Sequence, residues 1–189
     1  MAQSDSIRWD ERYREAQYDH PLPPRRLLVE NASLLPKGGR ALDIAAGTGR
    51  NACFLAQRGF QVIGVDVSWQ AIHRAARFSP AAHWVLADLE HFSVPECAFD
   101  VILNFYYLQR NLWPVFCRAL RPGGLLFLET LTQDMRLHRP DLQDCNLLAA
   151  GELANAFQQM ETLYHFEGWV ESDHGKQKAV ASLIARQPT

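Results

Sequence analysis

Hydrophobic positions along this chain fall into two alternating patterns. Short apolar runs that predict buried strands are followed by segments with apolar residues at helical spacing. The predicted strands in this part of the chain are residues 41–45, 61–68, 83–87, 99–104 and 125–130. The alternation of strands and helices predicts a mostly parallel sheet with helices on both faces.

The pattern changes at the C-terminal end. Residues 151–157 predict a helix, and strand-like runs follow at 161–170 and 176–186. The residues between these runs include Gly175, which predicts a hairpin and therefore an antiparallel final pair of strands. The complete prediction is a single-domain, doubly wound α/β protein. Its seven-stranded sheet is mostly parallel, with one antiparallel C-terminal strand.

Two further segments have a predicted role. Trp9 and Tyr13 share one face of an amphipathic N-terminal helix, and residues 20–24 predict a stiff connector to a second helix at 25–35. Residues 131–150 are long for a connection between a strand and a helix. Because long connections in compact domains often cover functional sites, we expect residues 131–150 to do so.

Composition and charge argue against several functions. The 189 residues carry a formal net charge of −2 without a long basic run, which argues against a nucleic-acid partner held through phosphates. The four cysteines form no C-x-x-C pair, so we expect no metal site. No apolar run is long enough to span a bilayer, and the polar N-terminus is unlike a secretory signal. We therefore expect a cytoplasmic protein without a membrane partner, of an oligomeric state that the sequence leaves open.

The segment 40–57 carries the main chemical signal. An apolar strand leads there into Gly47 and Gly49, and a helical pattern begins at once. Glycines let a ligand lie directly against the backbone, and the start of the helix offers unpaired N–H groups. A dinucleotide is one candidate ligand, since Gly47, Gly49 and Ala52 fit the spacing G-x-G-x-x-G/A.

Asp66 ends the next predicted strand, roughly 20 residues farther along the chain, where nucleotide-binding folds place a ribose ligand. A carboxylate there can accept hydrogen bonds from both ribose hydroxyls of an adenosine. Ser68 is better placed than Asp66 to cap the helix that begins near Trp69. Asp88 follows the third strand, as a ligand or as a solvated loop residue.

Three features of the sequence resemble one enzyme class. The run Asp43-Ile44-Ala45-Ala46-Gly47-Thr48-Gly49 resembles motif I of the class I S-adenosylmethionine-dependent methyltransferases, with alanines at the first two small positions. The strand at 99–104, the helix after it, Arg121-Pro122-Gly123-Gly124 and the strand at 125–130 follow the order of later motifs in that class. The spacing of Trp9 and Tyr13 is similar to the start of its small tellurite-resistance and thiopurine-methylating branch.

The resemblance implies S-adenosylmethionine as the cofactor. It also implies that Trp9 and Tyr13 lie on a lid over the cofactor, although packing against the core explains these two residues equally well. Asp88 is implied to contact the adenine amino group. The cofactor-binding residues implied in this way, together with Asp66, are Trp9, Tyr13, Asp43, Ala45, Ala46, Gly47, Gly49, Asn51, Val67, Ala87, Asp88, Leu89, Asn104, Phe105 and Tyr106. The domain, residues 1–189, then divides into a helical cap (1–35), a cofactor-binding core (36–130), an acceptor-side loop (131–150) and a helix with the C-terminal hairpin (151–189).

Methyl transfer from a sulfonium is an in-line displacement, for which the protein mainly aligns the two reactants and excludes water. We expect a small-molecule acceptor beyond the ends of the fourth and fifth strands. The residues expected near it are Asn104, Phe105, Tyr106, Tyr107, Arg110, Glu129 and Thr130. The residues identify no catalytic base, and a thiol or tellurite acceptor follows from the resemblance alone. The alternatives are a protein or nucleic-acid methyltransferase, a non-catalytic cofactor-binding module and, more remotely, an oxidoreductase.

Overall fold

The sheet has the predicted number of strands. The computed structural model describes residues 2–16, 22–172 and 175–189. The strands are β1 (Gly39–Ile44), β2 (Phe60–Asp66), β3 (His83–Leu86), β4 (Phe99–Phe105), β5 (Leu120–Leu131), β6 (Glu161–Glu171) and β7 (Gln177–Arg186). They are arranged β3-β2-β1-β4-β5-β7-β6, and only β7 runs antiparallel to the other six strands. The predicted fold class is therefore confirmed.

Helices cover the two faces of the sheet. They are α1 (Ala2–Glu15), α2 (Arg26–Glu30), α3 (Arg50–Ala56), α4 (Trp69–Phe78), α5 (Trp113–Ala119) and α6 (Glu152–Ala156). Because side chains of a strand alternate between faces, Ala41 of β1 packs with α2 and α3, whereas Leu42 packs with α5 and α6. The face of the sheet that lies under α2 and α3 is called the α2 face.

The second predicted helix is shorter than expected. Instead of running through residues 25–35, α2 ends at Glu30 and a 3₁₀ turn follows at Ala32–Leu34. Asn31 ends the helix because its side-chain amide donates to the carbonyl of Leu27 at 2.9 Å. The start of the predicted connector, His20 and Pro21, lies outside the described residues, as do Asp173 and His174 in the predicted hairpin turn.

The segment 131–150 is ordered around two 3₁₀ turns, Gln133–Leu137 and Asp144–Asn146. Met135 and Leu147 pack there against Ala179 of β7, on the face opposite to α2. Arg110 holds the end of the segment, since it donates to the Leu147 carbonyl at 3.0 Å and pairs with Glu152. The side chain of Arg110 is therefore engaged in holding this segment. The role of residues 131–150 as a cover for an acceptor stays a prediction.

Candidate active site

The glycine turn lies where β1 passes into α3. Gly47 and Gly49 both adopt positive φ, of 56° and 80°, and α3 begins directly afterwards at Arg50. Ala45 also has a positive φ, of 52°, a conformation that is strained for a residue with a β-carbon. The backbone at Ala45 therefore has the positive φ that favours glycine, although this chain carries an alanine there.

Asp66 fixes this turn to the end of β2. Its two carboxylate oxygens accept the backbone N–H groups of Gly47 at 2.8 Å and Ser68 at 2.9 Å. Burial raises the pKa of Asp66, and these backbone hydrogen bonds oppose that rise. Each carboxylate oxygen keeps a further lone pair, so the group can hold the turn and still accept a ribose hydroxyl.

Two buried acceptors lie at the ends of the neighbouring strands β1 and β4, on opposite faces of the sheet. Asp43 Oδ2 and Asn104 Oδ1 accept no hydrogen bond within the described part of the chain, and both residues are almost fully buried. Asn104 pairs with Ile44, the neighbour of Asp43. Burial, followed by the negative charge of Asp66, raises the pKa of Asp43 to about 7. Unsatisfied buried oxygens are costly, so each of them favours a hydrogen-bond donor from a ligand bound at this edge of the sheet.

The N-terminal helix reaches the same turn. A β-carbon placed on Gly47 would lie 2.6 Å from the hydroxyl oxygen of Tyr13. Asp10 accepts hydrogen bonds from the Ser68 hydroxyl at 2.5 Å and from the backbone N–H of Gln70 at 3.1 Å, so it caps the start of α4. In return, Arg74 of α4 donates to the carbonyl of Ala16, at the end of α1. Each helix thus neutralises a terminus of the other.

Gly49 makes room for a side chain of the protein itself. A β-carbon at Gly49 would lie 2.4 Å from the ring of Trp84, and one at Gly64 would lie 2.3 Å from it. Trp84 on β3 pairs with Gly64 on β2 and its ring covers both glycines. Trp84 thus occupies the space in which Gly49 would carry a β-carbon, and contact of a ligand with the backbone of Gly49 stays a prediction.

Several other predicted residues make contacts within the protein. The Asn51 side chain accepts the backbone N–H of Arg25 at 2.9 Å, and Asp88 accepts that of Glu90 at 2.9 Å. The backbone N–H of Ala87 donates to the Asp66 carbonyl at 3.0 Å, which places the end of β3 beside the carboxylate. The remaining predicted residues lie at the ends of β1 to β4 or in the turns after them: Ala46, Val67, Leu89, Phe105 and Tyr106.

A cavity of about 350 Å³ opens on the α2 face beyond the ends of β4 and β5. Tyr106 projects into it with a φ of 58°. Phe105 and Tyr106 both pack on the α2 face, although successive residues of a regular strand point to opposite faces. The positive φ of Tyr106 thus turns its ring back toward the cavity. Glu129 also lines this cavity, and its place near an acceptor stays a prediction.

Comparison with known proteins agrees with this geometry. A methyltransferase-domain family matches residues 41–124. This match covers less than half of the chain, and the whole fold is shared with solved methyltransferase structures. A structure of an S-adenosylmethionine-dependent methyltransferase from Methanosarcina mazei is 20% identical, with a TM-score of 0.70, over 88% of this chain and 99% of that one. The [4+2]-cyclase SpnF is 18% identical, with a TM-score of 0.74, over 100% of this chain and 97% of that one.

Among curated proteins, the ubiquinone biosynthesis O-methyltransferase of Xanthomonas axonopodis pv. citri is 33% identical over 60% of this chain and 52% of its own length. The chain spans about half or less of the length of the first curated relatives that it matches. The family resemblance seen in the sequence is confirmed, and S-adenosylmethionine is the cofactor that these comparisons support. The likeness to the tellurite-resistance and thiopurine branch stays a prediction.

Other structural findings concern metal sites and membrane spans. The described residues contain no group of three or more His, Cys, Asp or Glu side chains arranged to hold a metal ion. Within the same residues, no helix is both long and apolar enough to cross a membrane.

Sequence reasoning missed the roles of Asp10, Trp84 and Lys178. Gly64, in the middle of β2, could have predicted the contact with Trp84, because a glycine within a strand often marks the close approach of another group. Lys178 gave no signal, because a cation near the end of a strand is ordinary and β7 carries another, Arg186, at its other end. Asp10 gave no signal, because a charged residue on an amphipathic helix is ordinary.

Proposed function

We propose that this protein is an S-adenosylmethionine-dependent methyltransferase that acts on a small-molecule acceptor in the cytoplasm. The observation that carries the proposal is the pair of buried oxygens, Asp43 Oδ2 and Asn104 Oδ1, without a hydrogen-bond donor among the described residues. They lie next to a glycine turn that Asp66 fixes and Tyr13 approaches. A ligand with an ammonium group at one end and a ribose at the other satisfies this arrangement.

The chain's own residues would divide the binding between them. The ends of β1 and β4, which carry Asp43 and Asn104, would hold the ammonium group. Asp66 would accept the ribose hydroxyls, and the turn after β3 at Ala87, Asp88 and Leu89 would border the adenine. When bound, the cofactor supplies a methyl group on a sulfonium that is already activated for displacement. Tyr13, Trp9 and the rest of α1 would exclude water from the reacting groups.

A small acceptor is favoured by the size of the cavity. A volume of about 350 Å³ is in the range of small-molecule pockets, near its lower end. The cavity begins at Tyr106, directly after the β4 strand that carries Asn104. The activity for which the Xanthomonas relative is named, O-methylation in ubiquinone biosynthesis, also supports a small organic acceptor.

Calorimetry with S-adenosylhomocysteine tests the proposal. We expect the protein to bind S-adenosylhomocysteine and not NAD⁺, and Asn104→Leu to weaken the binding about tenfold or more, since a hydrogen bond to a charged group is lost. The matched control is Asn155→Leu on the exposed part of α6, which should bind normally. Binding of NAD⁺ without a response to S-adenosylhomocysteine would overturn the proposal.

A further inference from the structure

The floor of the cavity carries a carboxylate that a neighbouring strand orients. Glu129 of β5 is in register with Ser182 of β7, and the Ser182 hydroxyl donates to Oε2 of Glu129 at 2.8 Å. Because the two oxygens of a carboxylate offer about four lone-pair sites, this contact orients Glu129 and leaves it able to accept a further hydrogen bond. Glu129 lines the cavity, so a ligand hydroxyl in the cavity is a suitable donor to it.

The place of Glu129 in the sheet brings it beside the proposed cofactor site. Glu129 is in register with Phe105, the last residue of β4, and its carbonyl accepts the backbone N–H of Tyr106 at 2.7 Å. Phe127 of β5 packs on the α2 face, and alternate residues of a strand share a face, so Glu129 also projects there. The carboxylate therefore lies one strand away from the end of β4 that carries Asn104.

The floor becomes aromatic with distance from β4. Phe166 of β6 is in register with Ser182, and its ring leans along the strand over Gly168, where a β-carbon would lie 3.1 Å from it. Tyr164 lines the cavity as well. Because register partners share a face, the carboxylate of Glu129, the Ser182 hydroxyl and the Phe166 ring form one row. This row matches a ligand with a planar apolar body and a hydrogen-bond donor at one end.

The protein itself uses the ring of Tyr106. The guanidinium carbon of Arg25 lies 4.4 Å from the centre of this ring, and the ammonium nitrogen of Lys178 lies 4.5 Å from it. Both distances are within the range of about 6 Å for cation–π contacts. A ligand ammonium group has three donor hydrogens to satisfy, whereas a hydroxyl has one, which the single carboxylate of Glu129 satisfies. The cavity therefore favours a hydroxyl group over an amine.

Resting on the proposed function, we propose that this cavity binds an aromatic alcohol of the phenol class as the methyl acceptor and that Glu129 is its general base. The phenol ring packs against Phe166 and Tyr164, and its hydroxyl donates to Glu129. The hydroxyl proton passes to Glu129, and the phenol oxygen forms a bond to the methyl carbon. The carbon–sulfur bond breaks and leaves its electron pair on sulfur. Glu129 then releases the proton to water. Ser182 is a positioning residue, because it orients this carboxylate.

The first experiment measures binding to the protein saturated with S-adenosylhomocysteine. The probes are phenol and its methyl ether anisole, which has the same ring but no hydroxyl hydrogen. We expect phenol to bind about tenfold more tightly than anisole, as for a hydrogen bond to a charged group, and Glu129→Leu to abolish this preference. Equal binding of the two probes by the wild type, or a preference that survives in Glu129→Leu, would overturn the inference.

The second experiment separates proton transfer from binding. Methylation is followed by mass spectrometry with phenol and with para-nitrophenol, which is largely ionised in mildly alkaline buffer and needs no base. Glu129→Gln should lower kcat for phenol about a hundredfold or more and leave kcat for para-nitrophenol nearly unchanged. Equal losses for the two acceptors, or turnover of neither by the wild type, would overturn the role of Glu129. Faster methylation of aniline than of phenol would overturn the acceptor class.

Further variants assign the effect to this pair of residues. Ser182→Ala should lower kcat for phenol about tenfold without changing that for para-nitrophenol, and Ser182→Thr, which keeps the hydroxyl, should restore it. Glu161→Gln is the matched control, because Glu161 is an exposed strand glutamate that pairs with Arg186 at 2.9 Å and does not line the cavity. If Glu129→Gln unfolds the protein, Ser182→Ala replaces it in the comparison. Equal losses for both acceptors in Ser182→Ala would show a structural role and contradict the assignment.

The cofactor measurement separates the two levels of the proposal. Protein that binds S-adenosylhomocysteine but shows no preference for phenol over anisole loses only the phenol acceptor and the base, and the proposed function stands. Protein that does not bind S-adenosylhomocysteine loses both. Glu129→Gln and Ser182→Ala should bind S-adenosylhomocysteine as the wild type does, because their effect is on the acceptor.

Discussion

The hydroxyl of Tyr13 occupies the space beside Gly47 in which any other residue would carry its β-carbon, 2.6 Å from that position. The N-terminal helix and the glycine turn are thus shaped to one another. Tyr13 and Gly47 are 34 positions apart in the sequence, and only the docking of α1 on α4 brings them together.

Substitutions in the turn should have opposite effects. Gly47→Ala should destabilise the fold by about 1–2 kcal/mol, since a positive φ is unfavourable for a residue with a β-carbon. Ala45→Gly should relieve the same kind of strain. The greater freedom of glycine in the unfolded chain offsets part of this gain, so the net stabilisation should be about 1 kcal/mol or less.

Chemical denaturation measures both changes in the free energy of unfolding. A lower free energy of unfolding in Ala45→Gly would show that Ala45 is not strained in the folded protein. The Tyr13 contact is tested separately, since Gly47→Ala should cost less in a Tyr13→Phe background than in the wild type.

Asp66→Ala should weaken S-adenosylhomocysteine binding by about 2 kcal/mol or more, because hydrogen bonds to a charged group are lost. The variant also removes the acceptor for the Gly47 N–H, so the turn itself loosens. Calorimetry gives the affinity, and Asp66→Asn separates the two effects by keeping one acceptor oxygen for the turn. Unchanged affinity in Asp66→Ala would show that Asp66 is not the ribose ligand.

The stability of the ligand-free protein should depend on Asp43. Its pKa is raised from 3.8 to about 7 in the folded state, so between these pH values the folded protein binds more protons than the unfolded chain. Stability must then fall as pH rises through this range, and this contribution is largest below 3.8. Asp43→Asn should remove this part of the pH dependence. Denaturation midpoints across pH 4–8 that change equally in both proteins would contradict it.

The same carboxyl should make cofactor binding depend on pH. If an ammonium group binds the ionised form of Asp43, binding below a pH of about 7 must release a proton from this carboxyl. The cofactor affinity should then fall up to tenfold for each unit by which the pH is lowered. Calorimetry in buffers of different ionisation enthalpy counts the protons. Asp43→Asn should bind weakly at every pH, and a pH-dependent affinity in that variant would assign the effect to another group.

The docking of α1 should depend on Asp10. Asp10→Ala removes the cap of α4 and should release α1 at a cost of about 1 kcal/mol, which hydrogen exchange detects as faster exchange of the α1 amides. Asp5→Ala is the matched control, because Asp5 lies on the same helix and pairs only with Arg8 on the surface among its described contacts. Equal exchange in the two variants would show that Asp10 does not hold the helix.

Gly64→Ala should destabilise the protein by about 1–3 kcal/mol through overpacking, because its β-carbon would lie 2.3 Å from the Trp84 ring. Trp84→Leu should reduce the additional cost of Gly64→Ala, which a double-mutant cycle of unfolding free energies measures. Full additivity would show that the ring and the glycine do not interact.

Part of the candidate site could be predicted from the sequence. Asp43, Asp66 and Asn104 lie near the ends of strands whose apolar runs are evident, and parallel strands bring these ends to one edge of the sheet. Arg25, Ser182 and Lys178 line the cavity together although they are remote in sequence. No local pattern links them, since their proximity depends on where α2 lies on the sheet.

The sequence by itself determined the succession of strands and helices, the glycine turn and the acids at the strand ends, because periodicity and turn chemistry act over a few residues. Only the tertiary structure decided which side chains use the space that the glycines leave. Trp84 takes the space beside Gly49, Tyr13 takes that beside Gly47, and Asp10 caps a helix 58 positions away in sequence. These contacts depend on packing between elements distant in the chain, which hydrophobic patterning does not encode.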